Sequence, residues 1–286
     1  MTIIVTYVEY PLLMQVSDRR LTWPDGSVAD DSSTKTILWN RSWLLSYTGL
    51  ARIKGKPTHQ FIAEFLSSSW HELEDGYLDR TLERLLGSAL SQAIREDRVP
   101  RESRRLAIVG AGWGVPWDVD EPPPYGVRPY IWHLSNFLDR DGAPENEVRD
   151  DFTLVIAQGR PLRKTERGIL THGQELVAKD WKSLCRRIEE VRRRRLGPAT
   201  VARLMVDAVQ QMTNPRVGED VLVSSLPAPK KESGRIENRP PNLDSASFMY
   251  VPGRNAPFVQ YGPVIVDGGN IILQLQIRYG PAVEGD

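Results

Sequence analysis

At 286 residues, with 40% hydrophobic and 26% charged residues, the chain has globular composition and can form one large domain or two small ones. Its 37 Lys/Arg are matched by 37 Asp/Glu, so no long-range attraction to nucleic acid or an anionic membrane arises, and neither is expected as a partner. A single cysteine, Cys185, rules out an intrachain disulfide, and four histidines lack ligand spacing, so no metal and no cofactor is expected.

Strands come first, over about 2–9, 12–18, 36–40 and 43–48, where short Val/Ile/Leu runs are separated by turn residues such as Trp23-Pro24-Asp25-Gly26. Two helices are predicted next. Pro57 suits a first helical turn, ahead of an apolar face of Phe61, Ile62, Phe65 and Leu66. In the second, Leu82, Leu85, Leu86, Ala89, Leu90, Ala93 and Ile94 recur at three- and four-residue spacing.

Strands resume at 106–110, 130–134 and 152–157. Val115 to Arg128, rich in Pro and acid, reads as a loop, and Leu138 to Asp151 as a long hairpin connection with Asp141-Gly142 at a turn. A third helix buries Trp181, Leu184, Ile188 and Val191, with Cys185 expected as a buried thiol. It ends in Arg192–Arg195, cations suited to a helix C-terminus. A fourth, after Gly197-Pro198, buries Val201, Leu204, Met205, Ala208, Val209 and Met212, and a strand follows at 220–224.

The tail begins with a polar, proline-rich stretch, Pro227 to Asp244, and returns to strands at 247–251, 264–266 and 271–277. No run of eighteen apolar residues predicts a membrane span, and no basic-then-apolar N-terminus predicts a signal peptide, so a cytoplasmic location is expected. Strand clusters separated by helix pairs predict an α+β fold, a four-layer αββα sandwich of two antiparallel sheets flanked by helix pairs.

Four positions in the first fifty residues carry chemistry. Removal of Met1 would leave Thr2 with a hydroxyl and a free α-amine on one residue, and such an amine can act as base for its own hydroxyl. Asp18 closes the second strand in an Asp-x-Arg pattern with Arg20; Lys35 follows a loop; Gly49 ends the next apolar strand. This layout resembles the N-terminal nucleophile hydrolases, in particular proteasome β-type subunits and their bacterial homologues, with one extra residue between Asp18 and Lys35.

The resemblance covers about residues 2–226, so 1–226 is expected as the hydrolase-like domain, with 227–286 as an excursion and strands extending it. It implies a threonine hydrolase acting on peptide or amide bonds. Thr2 Oγ would attack, Lys35 would keep the α-amine neutral, Asp18 would hold Lys35, the Gly49 N–H would meet the oxyanion, and Arg20 would order the loop. It also implies a homo-oligomeric ring, possibly served by an ATP-dependent unfoldase.

The chain departs from the pattern further on. Active relatives carry Asp-x-x-Ser-Gly after the last helix; here the run is Asn214-Pro215-Arg216-Val217-Gly218, and valine cannot hydrogen-bond an amine. A second supporting serine has Asp141-Gly142 as its nearest counterpart. The alternative is a catalytically silent subunit of the same fold, acting as a scaffold or ring partner.

Overall fold

The structure is a computed structural model. It describes residues 3–22, 27–31, 33–74, 81–114, 128–140, 142–158, 168–173, 178–212, 214–228, 247–251, 260–261, 264–272 and 276–277. Of the predicted loop Val115 to Arg128 all but Arg128, and most of the proline-rich stretch, lie outside these residues; Arg128 opens a strand.

The first sheet holds β1 (Ile3–Glu9) and β2 (Leu12–Asp18). Short ribbons β3 (Leu21–Thr22) and β4 (Val28–Asp30) follow, then the hairpin β5 (Thr36–Trp39) and β6 (Trp43–Gly49). A small ribbon, β7 (Arg52–Ile53) with β8 (Lys56–Pro57), leads into helices α1 (Thr58–Ser68) and α2 (Trp70–Glu74). A π-helical turn, Glu83–Gly87, opens α3 (Ser88–Glu96).

Next come β9 (Leu106–Gly114), β10 (Arg128–Ser135), β11 (Thr153–Gln158) and β12 (Gly168–Gly173). The last helices are α4 (Ala178–Arg193) and α5 (Pro198–Gln210). The chain closes with β13 (Val221–Pro227), β14 (Ser247–Val251), β15 (Gln260–Tyr261), β16 (Val264–Asp267), β17 (Asn270–Ile272) and β18 (Gln276–Ile277).

Among the described residues two large sheets result, one of five strands in the order β12-β1-β2-β13-β14 and one of seven, β11-β10-β9-β6-β5-β16-β17, beside the two-stranded ribbons β3-β4, β7-β8 and β15-β18. The α+β class read from periodicity is the class found. Two sequence expectations about the sheets need correction. The seven-stranded sheet is mixed, because β16 runs parallel to β5, with Ile265 opposite Leu38. β12 was not predicted at all, yet it pairs with β1 from Ile3–Gly173 to Val8–Gly168. Its sequence, GILTHG, alternates weakly and has too few apolar residues to register as a strand.

Among the described residues, three large apolar clusters and a small one, Ala107, Phe137 and Leu138, divide the interior. Ile3, Val5, Tyr7, Met14 and Val16 pack under Leu184, Ile188, Met205 and Val209 of α4 and α5. Ile37, Trp39, Leu45 and Ile108 of the larger sheet pack under Ile62, Leu66, Leu90 and Ile94 of α1 and α3. Between the sheets lie Val8, Leu13 and Leu226 on one side and Leu38, Leu44, Ala111 and Ile131 on the other. Each strand therefore splits its side chains by parity, one set to a helix layer and one to the facing sheet. Cys185 is half-buried rather than buried, because it sits beside the Leu184–Ile188 stripe and not on it.

The layer between the sheets changes character along the strands. Beyond the apolar row, Thr6, Gln15, Ser17, Thr36 and Ser46 are all buried. Ser17 and Thr36 hydroxyls lie 3.3 Å apart and those of Thr36 and Ser46 3.0 Å apart; Ser46 donates to Gln15 Oε1 at 3.0 Å. Gln15 Nε2 donates to Thr6 Oγ1 and to the Val109 carbonyl, each at 3.4 Å. This polar seam joins the sheets by hydrogen bonds where the apolar row joins them by packing, and burial makes each bond costly to lose.

At one edge of the seam His133 of β10 meets His172 of β12, with ring centroids 5.5 Å apart. His133 Nε2 lies 3.0 Å from the Asp139 carbonyl, which can only accept, so this nitrogen is the donor. Burial, and secondarily His133, lowers the His172 pKa to about 3.

Two outcomes are expected. Leu13→Ala, at a site with 0% exposure between the sheets, destabilises the fold by about 2–5 kcal/mol in urea titrations. The second concerns acid. Between 6.5 and about 3 the unfolded chain binds a proton at His172 that the folded chain refuses, so stability falls as pH drops through that window. His172→Leu flattens the fall by about one proton, read from urea midpoints measured at several pH values.

Candidate functional site

The site grows from the end of β2. Met14 and Val16 face α4 and α5, and the strand closes on Asp18, which is fully buried. A carboxylate there must find donors within the protein. Asp18 Oδ1 accepts from the Ile3 amide at 3.1 Å. Oδ2 accepts from the Arg20 amide at 3.2 Å, the Gly218 amide at 3.2 Å and Lys35 Nζ at 3.0 Å.

Lys35 precedes β5 and has no exposed side-chain surface. Its ammonium also donates to the Arg20 carbonyl. Burial lowers the Lys35 pKa, and the charge of Asp18 opposes that shift. The lowered value follows from desolvation of a cation, and the carboxylate is what keeps the ammonium in place.

Arg20 is the hub of the rim. Its Nε donates to Asp31 Oδ1 at 2.6 Å and one terminal nitrogen donates to the Pro215 carbonyl at 2.8 Å. The side chain thus ties the 27–31 and 214–218 segments together while its own amide and carbonyl touch Asp18 and Lys35. Gly218 lets this approach happen, because a Cβ there would lie 2.9 Å from Arg20 Cβ.

Of the residues singled out from sequence, the structure brings together Asp18, Lys35 and Arg20. Thr2, with Met1, lies outside the described residues. Ile3, its covalent neighbour, is described, and its amide is one of the four donors to Asp18. Gly49 ends β6, where Tyr47 N donates to the Lys35 carbonyl at 3.2 Å two residues earlier. Glycine is required there for a local reason: φ is +111°, and a Cβ would sit 2.0 Å from the Arg105 carbonyl oxygen. The close approach of Arg105, the residue before β9, is the local reason for the glycine.

The 214–218 segment is structural in the same sense. Asn214 Oδ1 accepts from the Arg216 amide at 2.9 Å, and Val217 is buried in the cluster beneath α4 and α5. Sequence reasoning missed Arg19, which is 2% exposed with Nε 3.3 Å from the Ser33 carbonyl. It also missed the polar seam and the His133–His172 contact. Strand parity could have found the seam, since Thr6, Gln15, Ser17, Thr36 and Ser46 hold alternate positions with the apolar helix-facing residues.

Among the described residues, no group of three or more His, Cys, Asp or Glu could hold a metal ion, and no helix is long and apolar enough to cross a membrane.

No family model matches the chain, and no curated protein sequence matches it significantly. Solved structures are similar to it. Anbu (ancestral beta-subunit) from Yersinia bercovieri aligns at 13% identity over 79% of this chain and 81% of that one, with a TM-score of 0.47. An Anbu (Gly-1) mutant from Hyphomicrobium sp. strain MC1 aligns at 16% identity over 82% and 87%, with a TM-score of 0.46. The likeness is one of overall fold, at low identity and partial coverage.

Removing one partner of the buried pair is expected to cost more than removing both. Lys35→Met strands a carboxylate without water and costs about 3–5 kcal/mol in chemical denaturation. Adding Asp18→Asn to Lys35→Met recovers part of that loss, because the uncompensated charge is gone.

Proposed function

We propose that this chain is a proteasome-like subunit on a four-layer αββα sandwich of the N-terminal nucleophile type, catalytically silent and acting as a scaffold or ring partner. One observation carries the silent reading: both support positions after the last helix are committed elsewhere. Asn214 uses its side-chain oxygen on the Arg216 amide, and Val217 is packed in the core under α4 and α5. Neither can relay a proton to an N-terminal amine.

The second reading is a threonine hydrolase cleaving peptide or amide bonds after loss of Met1. It is favoured by the Asp18–Lys35 pair, which is fully buried and bonded to the amide that follows residue 2. In that reading Thr2 Oγ attacks, the α-amine takes its proton, and the lysine charge keeps the amine unprotonated near neutral pH. Peptide or amide substrate, ring assembly and service by an ATP-dependent unfoldase all belong to the proposal.

The two readings separate in one experiment. Protein from the native host is weighed intact, then treated with a mechanism-based probe for N-terminal threonine, alongside Thr2→Ala. The silent reading expects no labelling of either protein, whether or not Met1 is present. Labelling of the wild type that disappears in Thr2→Ala overturns it and establishes the hydrolase.

A further inference from the structure

The connection between β10 and β11 contains a stretch with no apolar anchor of its own. Leu138 and Val148 are buried, and between them no described residue is. Segments held without apolar burial open at low free-energy cost, ahead of the rest of a fold.

Two histidines hold this stretch against the edge where β12 ends the five-stranded sheet. His133 of β10 donates from Nε2 to the Asp139 carbonyl at 3.0 Å. Gly142 rests on the ring of His172, where a Cβ would meet Cδ2 and Nε2 at 3.4 Å. The other contacts of the stretch stay within the connection or at its surface. The Glu145 amide donates to the Phe137 carbonyl, the Ala143 amide to Asp139 Oδ1, and Arg105 to the Asn146 carbonyl.

The two imidazoles are 1% and 4% exposed, their centroids are 5.5 Å apart, and each Nδ1 is buried without a hydrogen-bond partner. A proton added to either ring would sit beside the other ring and out of reach of water. On His133, burial opposes the proton first, Asp139 favours it and Arg149 opposes it. On His172, burial again opposes it first and His133 second. The paired strand positions add no titratable group: β1 sets Ile4 beside His172, and β9 and β11 set Val109 and Val155 beside His133.

We infer that His133 and His172 form an acid-sensitive latch: neutral and buried, they hold Asp139 and residues 142–147 over the edge between the two sheets, and on taking up protons they release them. The latched histidines refuse protons that they bind below about pH 6.5 once released. The latch is therefore firm above that value and weakens as pH falls below it. At about pH 5.5 each released histidine raises the open population about tenfold. The effect reaches the buried carboxylate, because Gly173 and His172 pair with Ile3 and Ile4, and the Ile3 amide donates to Asp18. A silent subunit and an active one would carry the same latch.

The test is hydrogen exchange of the full chain, read by mass spectrometry at about pH 7.5 and about pH 5.5, with each rate divided by its intrinsic value. Peptides covering 139–147, where the Asp139, Gly142, Ala143 and Glu145 amides are bonded, are compared with peptides from α5. Wild type is expected to lose protection in 139–147 by about tenfold or more at the lower pH while α5 keeps its own. His133→Gln retains an amide donor for the Asp139 carbonyl but does not titrate, and His172→Leu removes the second titrating ring. Each variant should reduce the pH effect and the double variant should abolish it. Circular dichroism checks that the variants fold; should the double variant not, a pH effect in His172→Leu about tenfold smaller than in wild type carries the same test. Protection in 139–147 that is independent of pH, or that responds equally in the variants, overturns the latch. Loss in 139–147 and α5 together is global acid unfolding and also overturns it.

Discussion

A carboxylate without access to water has to be satisfied by the protein around it, and Asp18 draws its donors from four separate stretches of chain. They are the amide at the start of β1, the amide of Arg20, the lysine before β5, and the glycine amide of the 214–218 segment. Each donor comes from a different element, so the carboxylate fixes the relative positions of β1, β2, the β5–β6 hairpin and the segment after α5. An ionised group buried this way destabilises the fold if any partner is missing. The corner of the molecule around Asp18 is therefore specified more tightly than its apolar layers, which tolerate changes of shape at lower cost.

The polar seam extends this constraint into the interior. Apolar packing between Leu13, Leu38 and Leu44 holds the sheets together at one end, but it is not directional. The bonds among Ser17, Thr36, Ser46 and Gln15 are directional, and they set the register of the small sheet over the large one. The seam and the Asp18–Lys35 pair are joined through consecutive residues, Ser17 to Asp18 and Lys35 to Thr36. The charged corner is thus the end of a continuous polar layer and not an isolated pair.

This arrangement serves a scaffold as well as an enzyme. Every donor around Asp18 contributes to folding, so the pair would be retained in a subunit without activity. The 214–218 segment separates the readings, because its side chains are free to vary in hydrogen-bonding capacity while its Gly218 amide keeps its place on Asp18. In this chain the Gly218 amide contacts Asp18, the Asn214 side chain serves a turn, and Val217 packs in the core.

Most strands and all the long helices were legible in the sequence, because parity and three-to-four spacing record which face is buried. Asp18, Lys35 and Arg20 were singled out by the resemblance, and the structure places the three together, which residue type and position alone would not have done. Three things were decided only in three dimensions. β12 became a strand because β1 offered it a full edge of backbone partners, which a weakly alternating sequence does not announce. β16 joined β5 in parallel, although parallel neighbours leave no hairpin signal. Gly49, taken from the resemblance as an oxyanion residue, is also required to be glycine by the Arg105 carbonyl just before β9. Local pattern fixes how each segment presents its faces, because that depends on residues close in sequence. Which edge it meets, and which backbone atom leaves room only for glycine, depends on residues far away, and only the packed chain brings those together.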